Sequence, residues 1–228
     1  MTDPLMTADS RPTHTVEDYL MSMHVMERDH GEIIAARLAE IMGVSAATVA
    51  VTFKRMQRDN WISVSGRKSV HLTPTGKDAA YSITRRHMLT EWLLVKILKV
   101  PMPLIHDEAH GIEHAISPQL EERLRTLLDD PQVCPHGNPF PGCENVTAFL
   151  IPLSNFSANA HVIIKRIHEN IEDKKETLNF LIEHGITPGK NAIVLDVLPF
   201  NQTITIEIEK KRVTLGFSVA SFIFVEKS

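Results

Sequence analysis

Residues 33–72 leave this chain few ways to fold. Their pattern predicts a short helix over 33–42, broken by Gly43, with Val44 filling the turn. Ser45 is placed to cap a second helix over 46–59, and small Ala39 stands where the two helices must approach. Residues 61–64 and 69–72 then alternate as two strands, joined by the turn Ser65, Gly66, Arg67, Lys68. Taken singly, each part is common, and a helical hairpin with a basic face can simply be solvated. The ordered set is a winged helix-turn-helix. In that arrangement Ser45, Ala47 and Thr48 face base edges, while Thr52, Lys54, Arg55 and Arg58 face phosphates, with Arg67 and Lys68 at the wing tip.

The flanks extend this module. Residues 15–28 carry an apolar stripe of Val16, Tyr19, Leu20, Met23 and Met26 and read as a helix. Thr15 is a candidate cap, with Asp18 at the third position of a capping box. Asp18 therefore has two readings, a helix cap or a metal ligand that faces later helices. Thr73 and Pro74 start a long helix that reaches about residue 98. Pro101 and Pro103 break it, and helices over 105–116 and 118–128 follow. Residues 161–228 change character: four apolar strands at 162–164, 193–197, 203–208 and 222–225 surround one helix over 172–184. Many short strands around one helix suggest a small SH3-like barrel.

Within the helical middle, His106, His110, Glu113 and His114 fall within one third of a helix circumference. Upstream, His87 and Glu91 are four apart on one face. Two helices that each carry a His/Glu set can close a divalent-metal site between them, although such a stripe can also be a solvated polar face. Cys134, His136 and Cys143 could ligate metal too, but the Pro/Gly density of 134–143 reads instead as a rigid turn.

Charge separates these regions. The chain of 228 residues carries a net charge of −4. Residues 11–100 hold 13 basic against 9 acidic side chains, and residues 101–150 hold 2 against 8. A basic front and an acidic middle match an anion-binding module followed by a cation-binding one. No apolar run is long enough to span a bilayer, and the first residues lack the basic-then-apolar order of a signal peptide. A cytoplasmic location is expected, with Cys134 and Cys143 as thiols.

In order along the chain, TVEDYL, the winged helix ending in LTPTG, RRHMLTEWLL, IHDEAHGIEH and HGNPFPG resemble the diphtheria-toxin-repressor family of metal-dependent transcriptional regulators. The last seventy or so residues resemble the FeoA-type, SH3-like domain of its longer members. The fold this implies is mainly α with a C-terminal small β-barrel. It divides into a tail (1–14), a winged helix-turn-helix (15–76), a helical metal-binding and dimerisation domain (77–144), a linker (145–160) and the SH3-like domain (161–228).

The resemblance implies two metal sites. Asp18, His110, Glu113 and His114 would form the primary one, and His87, Glu91 and His106 an ancillary one. Asp18 stands where iron-responsive members have Met and manganese-responsive members Asp. Met21 stands where some manganese regulators have Glu, and His110 replaces the usual Cys or Glu. In the family the last domain can lend ancillary ligands, for which Glu172, Asp173 and Glu176 are candidates. The implied cofactor is Mn(II) or Fe(II), with Co(II), Ni(II) or Zn(II) substituting in vitro. The implied partners are a palindromic double-stranded DNA operator and a second copy of the chain, with no membrane and no small organic substrate. The expected function is a metal-dependent repressor of metal-homeostasis genes. The alternative is a metallohydrolase with an open position at the His/Glu cluster.

Overall fold

The computed structural model describes residues 11–66, 69–172 and 174–228, which divide into two compact units between Arg86 and His87. Among these residues no single helix is long and apolar enough to cross a membrane.

The first unit begins with α1 (His14–His30), which buries Val16, Tyr19, Leu20, Met23 and Met26 on one side. Its start corrects one expectation. Thr13, not Thr15, is the N-cap, and it makes no side-chain cap bond, so Asp18 lies two residues too deep for a capping box. Glu17 is the buried acid there; it accepts from Arg86 at 2.7 Å and from Arg11 at 3.2 Å. Next come α2 (Ala35–Ile41) and α3 (Ala46–Arg58). Gly43 joins them at φ +62°, a left-handed turn that glycine adopts without strain. The first of these helices is shorter than its pattern suggests because Ile33 pairs with Val70 of the wing instead. The wing is an antiparallel hairpin of β1 (Ile62–Ser65) and β2 (Ser69–Leu72), with Ile62 opposite Leu72. Thr73 caps α4 (Pro74–Trp92) by accepting from the Gly76 backbone at 2.9 Å. A Cβ on Gly76 would lie 1.8 Å from the Trp61 carbonyl oxygen, so only glycine lets helix and wing approach this closely.

The second unit opens on the last turns of α4. Beyond Trp92 the helix widens into a π turn over Leu93–Ile97, where the sequence pattern predicts plain α-helix. A 3₁₀ turn at Met102–Leu104 leads into α5 (Ile105–Ile112). The chain then tightens to 3₁₀ at Glu113–Ala115, so the His/Glu stripe is not one regular helix as expected. Ser117 caps α6 (Pro118–Leu127).

After the loop, a six-stranded antiparallel sheet runs in the order β3-β8-β4-β5-β6-β7. Its strands are β3 (Ile151–Pro152), β4 (His161–Ile167), β5 (Asn191–Leu198), β6 (Thr203–Ile208), β7 (Lys211–Gly216) and β8 (Ile223–Lys227). Sequence patterning missed β3, too short to alternate, and β7, whose charged start hides Val213 and Leu215. The helix expected over 172–184 is two pieces, α7 (Glu169–Glu172) and α8 (Lys175–Glu183), and α9 (Phe217–Ala220) was unread. Ile164, Leu181, Val194, Ile206 and Ile223 are among the fully buried residues of the core; burying each contributes about 1.5–3 kcal/mol.

Candidate metal centre and nucleic-acid interface

The second unit gathers its ligating side chains around the end of α4. Both His87 and Glu91 are buried there, as are His106 at the start of α5 and Glu172 at the end of α7. Each of the four offers a ligand atom within 4.8 Å of the others. The nearest contact joins His106 Nδ1 and Glu172 at 2.9 Å, and His87 Nε2 approaches His106 Nδ1 at 3.1 Å. Glu172 was only one of three candidates in the sequence. Of the others, Glu176 is exposed and Asp173 lies outside the described residues.

The loop contributes more than its composition suggests. Cys134 and His136 were read as parts of a rigid turn, yet with Glu91 they form a further buried group able to hold metal. His136 Nδ1 lies 3.4 Å from Glu91 and 3.3 Å from Glu172. The turn is rigid, and that rigidity is what aims the ligands. The Cys134 backbone donates to Asn138, and Ile167 of β4 donates to the His136 carbonyl, both at 2.8 Å. Asn138 is fully buried; it donates to Glu172 at 2.6 Å and accepts from Arg166 at 2.6 Å. Cys143 only packs nearby, and both cysteines are free thiols. Spacing gave no signal for this group, because Glu91, Cys134 and Glu172 are distant in sequence.

The other end of the cluster holds buried Glu113 between half-buried His110 and His114. Glu113 is the centre: His110 approaches it at 3.2 Å, His114 at 3.6 Å and His87 at 2.5 Å. The expected two sets are therefore contiguous through the His87–Glu113 bond. Asp18, the fourth residue expected of the primary set, is half-buried on α1 in the first unit.

These groups fit a divalent cation. Burial works against charge on His87, yet Glu113 and Glu91 hold its pKa up at about 9. Burial likewise opposes ionisation of Glu113, but His110 and His87 bring its carboxyl down to about 2. Glu91 is pulled well below the usual carboxylate range despite burial, by His136, His106 and His87. Burial pushes the Cys134 thiol up, and Glu91 and Glu172 push it further. Among the described residues Glu91 Oε2 and His136 Nε2 are buried without a hydrogen-bond partner. Buried lone pairs with no donor, next to three imidazoles and a thiol, are what a borderline metal ion satisfies.

On the first unit, α3 presents Ser45, Ala47, Thr48, Lys54, Arg55 and Arg58 as exposed, and Thr52 is half-buried. Ser45 caps the helix, accepting from the Thr48 backbone at 3.1 Å, and its hydroxyl meets that of Thr48 at 2.9 Å. Arg58 is held by its neighbour Asp59 through two contacts of 2.7 and 3.0 Å. Arg67 and Lys68 lie outside the described residues.

A basic winged helix joined in one chain to a buried His/Glu/Cys cluster defines a metal-dependent DNA-binding transcriptional repressor. Three family models match in order: the N-terminal DNA-binding domain of iron-dependent repressors over 12–70, their metal-binding and dimerisation domain over 73–142, and the FeoA domain over 151–227. The chain is 30% identical to the iron-dependent repressor IdeR of Mycobacterium leprae, across 93% of this chain and 97% of that one. It is 31% identical to the diphtheria toxin repressor of Corynebacterium glutamicum, across 93% and 96%. Among solved structures, a manganese-dependent transcriptional repressor in complex with manganese matches at TM-score 0.80 and 29% identity, covering 93% and 100%. ScaR with bound Zn²⁺ matches at 0.78 and 28%, covering 95% and 100%. The chain belongs to the diphtheria toxin repressor/IdeR family of iron- or manganese-responsive repressors. That family consists of repressors and not enzymes, which removes the metallohydrolase alternative.

Proposed function

We propose that this protein is activated by Mn(II) or Fe(II) to repress metal-homeostasis genes, binding a palindromic operator as a homodimer in the cytoplasm. Co(II), Ni(II) and Zn(II) would substitute in vitro, and neither a membrane nor a small organic substrate takes part. The observation that carries this reading is the buried cluster around Glu91, in which Glu91 Oε2 and His136 Nε2 have no hydrogen-bond partner in the described structure.

His110, Glu113 and His114, with Asp18, are the proposed primary ligands. Asp18 lies beyond the capping-box position of α1, and a carboxylate with imidazoles tolerates Mn(II) and Fe(II). His87, Glu91 and His106 are the proposed ancillary ligands, to which Glu172 adds a carboxylate and His136 and Cys134 a nitrogen and a softer sulfur. A bound divalent ion supplies the positive charge that holds these carboxylates together. Asn138 orients Glu172, and the loop fixes Cys134 and His136. Ser45, Ala47 and Thr48 would face base edges, while Thr52, Lys54, Arg55, Arg58, Arg67 and Lys68 would face phosphates.

For the architecture, the proposed modules are a winged helix (15–76), a dimerisation domain (77–144), a linker (145–160) and an SH3-like barrel (161–228), after a tail (1–14). The barrel reading rests on the bulges at Ile164/Arg166 and Val194/Asp196, which curl the sheet around one core.

The test is retention of duplex DNA titrated against Mn(II), Fe(II), Co(II) and Zn(II), each buffered at its free concentration. Metal-dependent retention with all four ions, Co(II) and Zn(II) acting at lower free concentrations than Mn(II) and Fe(II) as their affinities require, and lost in Asp18→Asn and Glu113→Gln, is the expected result. DNA affinity indifferent to free metal would overturn it.

A further inference from the structure

The face that α3 turns to solvent is unusual at its centre. At about 100° per residue, Ala47, Thr48, Val51, Lys54, Arg55 and Arg58 share one arc of the helix. The opposite side buries Val49 and Met56. Val51 is 61% exposed in the middle of that arc. A lone exposed apolar residue asks for no explanation by itself. This one stands where a recognition helix meets base edges, on a helix whose next turn offers Lys54 and Arg55 to phosphates.

The two hydroxyls at the start of the helix are directed at each other. Ser45 caps the helix, and its hydroxyl pairs with that of Thr48. Ala46, Ala47, Ala50 and Val51 carry no polar side-chain atom at all. Two turns of a recognition helix thus offer methyl groups where donors and acceptors are the usual means of reading a base pair. The one apolar feature that distinguishes a base in the major groove is the 5-methyl group of thymine.

We propose that Val51 is a specificity-determining residue that reads a thymine methyl in each operator half-site, so that this protein selects DNA at that position by methyl packing and not by hydrogen bonding. The proposal rests on the metal-dependent DNA-binding reading above. It adds which base the centre of the helix selects and by what chemistry. Lys54 and Arg55 would hold the helix in register, and Val51 would supply the discrimination.

The experiment starts with selection of binding sites from a random duplex pool by the full-length, Mn(II)-loaded protein. Each thymine of the selected site is then replaced by deoxyuridine, which removes only the methyl. One thymine per half-site should show a roughly three- to tenfold loss of affinity, the scale of one buried methyl group with some loss of fit. Val51→Ala should bind both versions within about twofold of each other. Val51→Thr, which keeps the shape and one methyl, should retain part of the penalty. Val51→Gln should move the selected base towards adenine, whose edge an amide pairs with. Equal helix content by circular dichroism would confirm that these surface variants fold. A selected site in which no deoxyuridine substitution weakens binding overturns the proposal, and so does a Val51→Ala protein that keeps the wild-type penalty. A wild type that retains no sequence in preference to another, with or without metal, overturns the DNA-binding reading itself, and this proposal with it.

Discussion

Arg55 and Arg58 sit one turn apart in sequence, but their electrostatic situations differ. Asp59 grips the Arg58 guanidinium with two bonds, so Arg58 reaches a phosphate only by giving up that partner. Arg55→Ala is therefore expected to weaken binding to all sequences and lower the salt dependence by about one counterion per contact. Arg58→Ala should do so more weakly, and Asp59→Asn should raise non-specific affinity. Affinities measured across a series of salt concentrations check all three. His87 invites a second prediction, for the metal-free protein. Its folded pKa of about 9 lies above the ordinary 6.5, so its contribution to stability is complete below pH 6.5 and is lost as pH rises towards 9. Glu113 runs the other way: at about 2 against 4.5, its contribution is present above pH 4.5 and is lost as pH falls towards 2. The thermal midpoint of the metal-free second unit should therefore peak between about pH 4.5 and 6.5. His87→Gln should flatten the alkaline limb. Because metal needs a neutral imidazole, loading must also release protons.

At the scale of elements, the loop between α6 and β3 decides the deeper half of the cluster. Gly137 is at φ +88°, and a Cβ there would lie 2.0 Å from the Lys165 carbonyl oxygen. The loop backbone can lie against β4 only because that Cβ is missing. Gly137→Ala is expected to cost about 1–3 kcal/mol in strain and to lift His136 and Asn138 away from Glu91 and Glu172. Calorimetry of metal binding should then lose the ion held by Cys134 and His136, while His110, Glu113 and His114 keep theirs. None of this was legible in the sequence. The Pro/Gly content announced a stiff turn, but stiffness has no direction until β4 is beside it. Helices with caps and an apolar stripe were legible, as α3 and α6 show with Ser45 and Ser117 in place. Changes of helical pitch at Leu93 and Glu113 were not, since stretches of five and three residues are too short for apolar periodicity to separate one pitch from another.

For the whole molecule, the order of modules could be read from motifs because each carries a local signature. A Gly turn between helices, a basic hairpin tip and His/Glu spacing all lie within a few residues of chain. The ligands contributed at long range could not be read so. Glu172 was one of three neighbouring carboxylates, and only the fold of α7 against Asn138 separates it from exposed Glu176. That same long range has a consequence during synthesis. The buried donors come from α4, α5, the loop and α7, so the full set does not exist until a ribosome has made residue 172. A growing chain that has passed the loop already carries His110, Glu113 and His114 and every deeper donor but Glu172. Closing the deeper group around an ion therefore waits for the C-terminal domain, which supplies the last carboxylate.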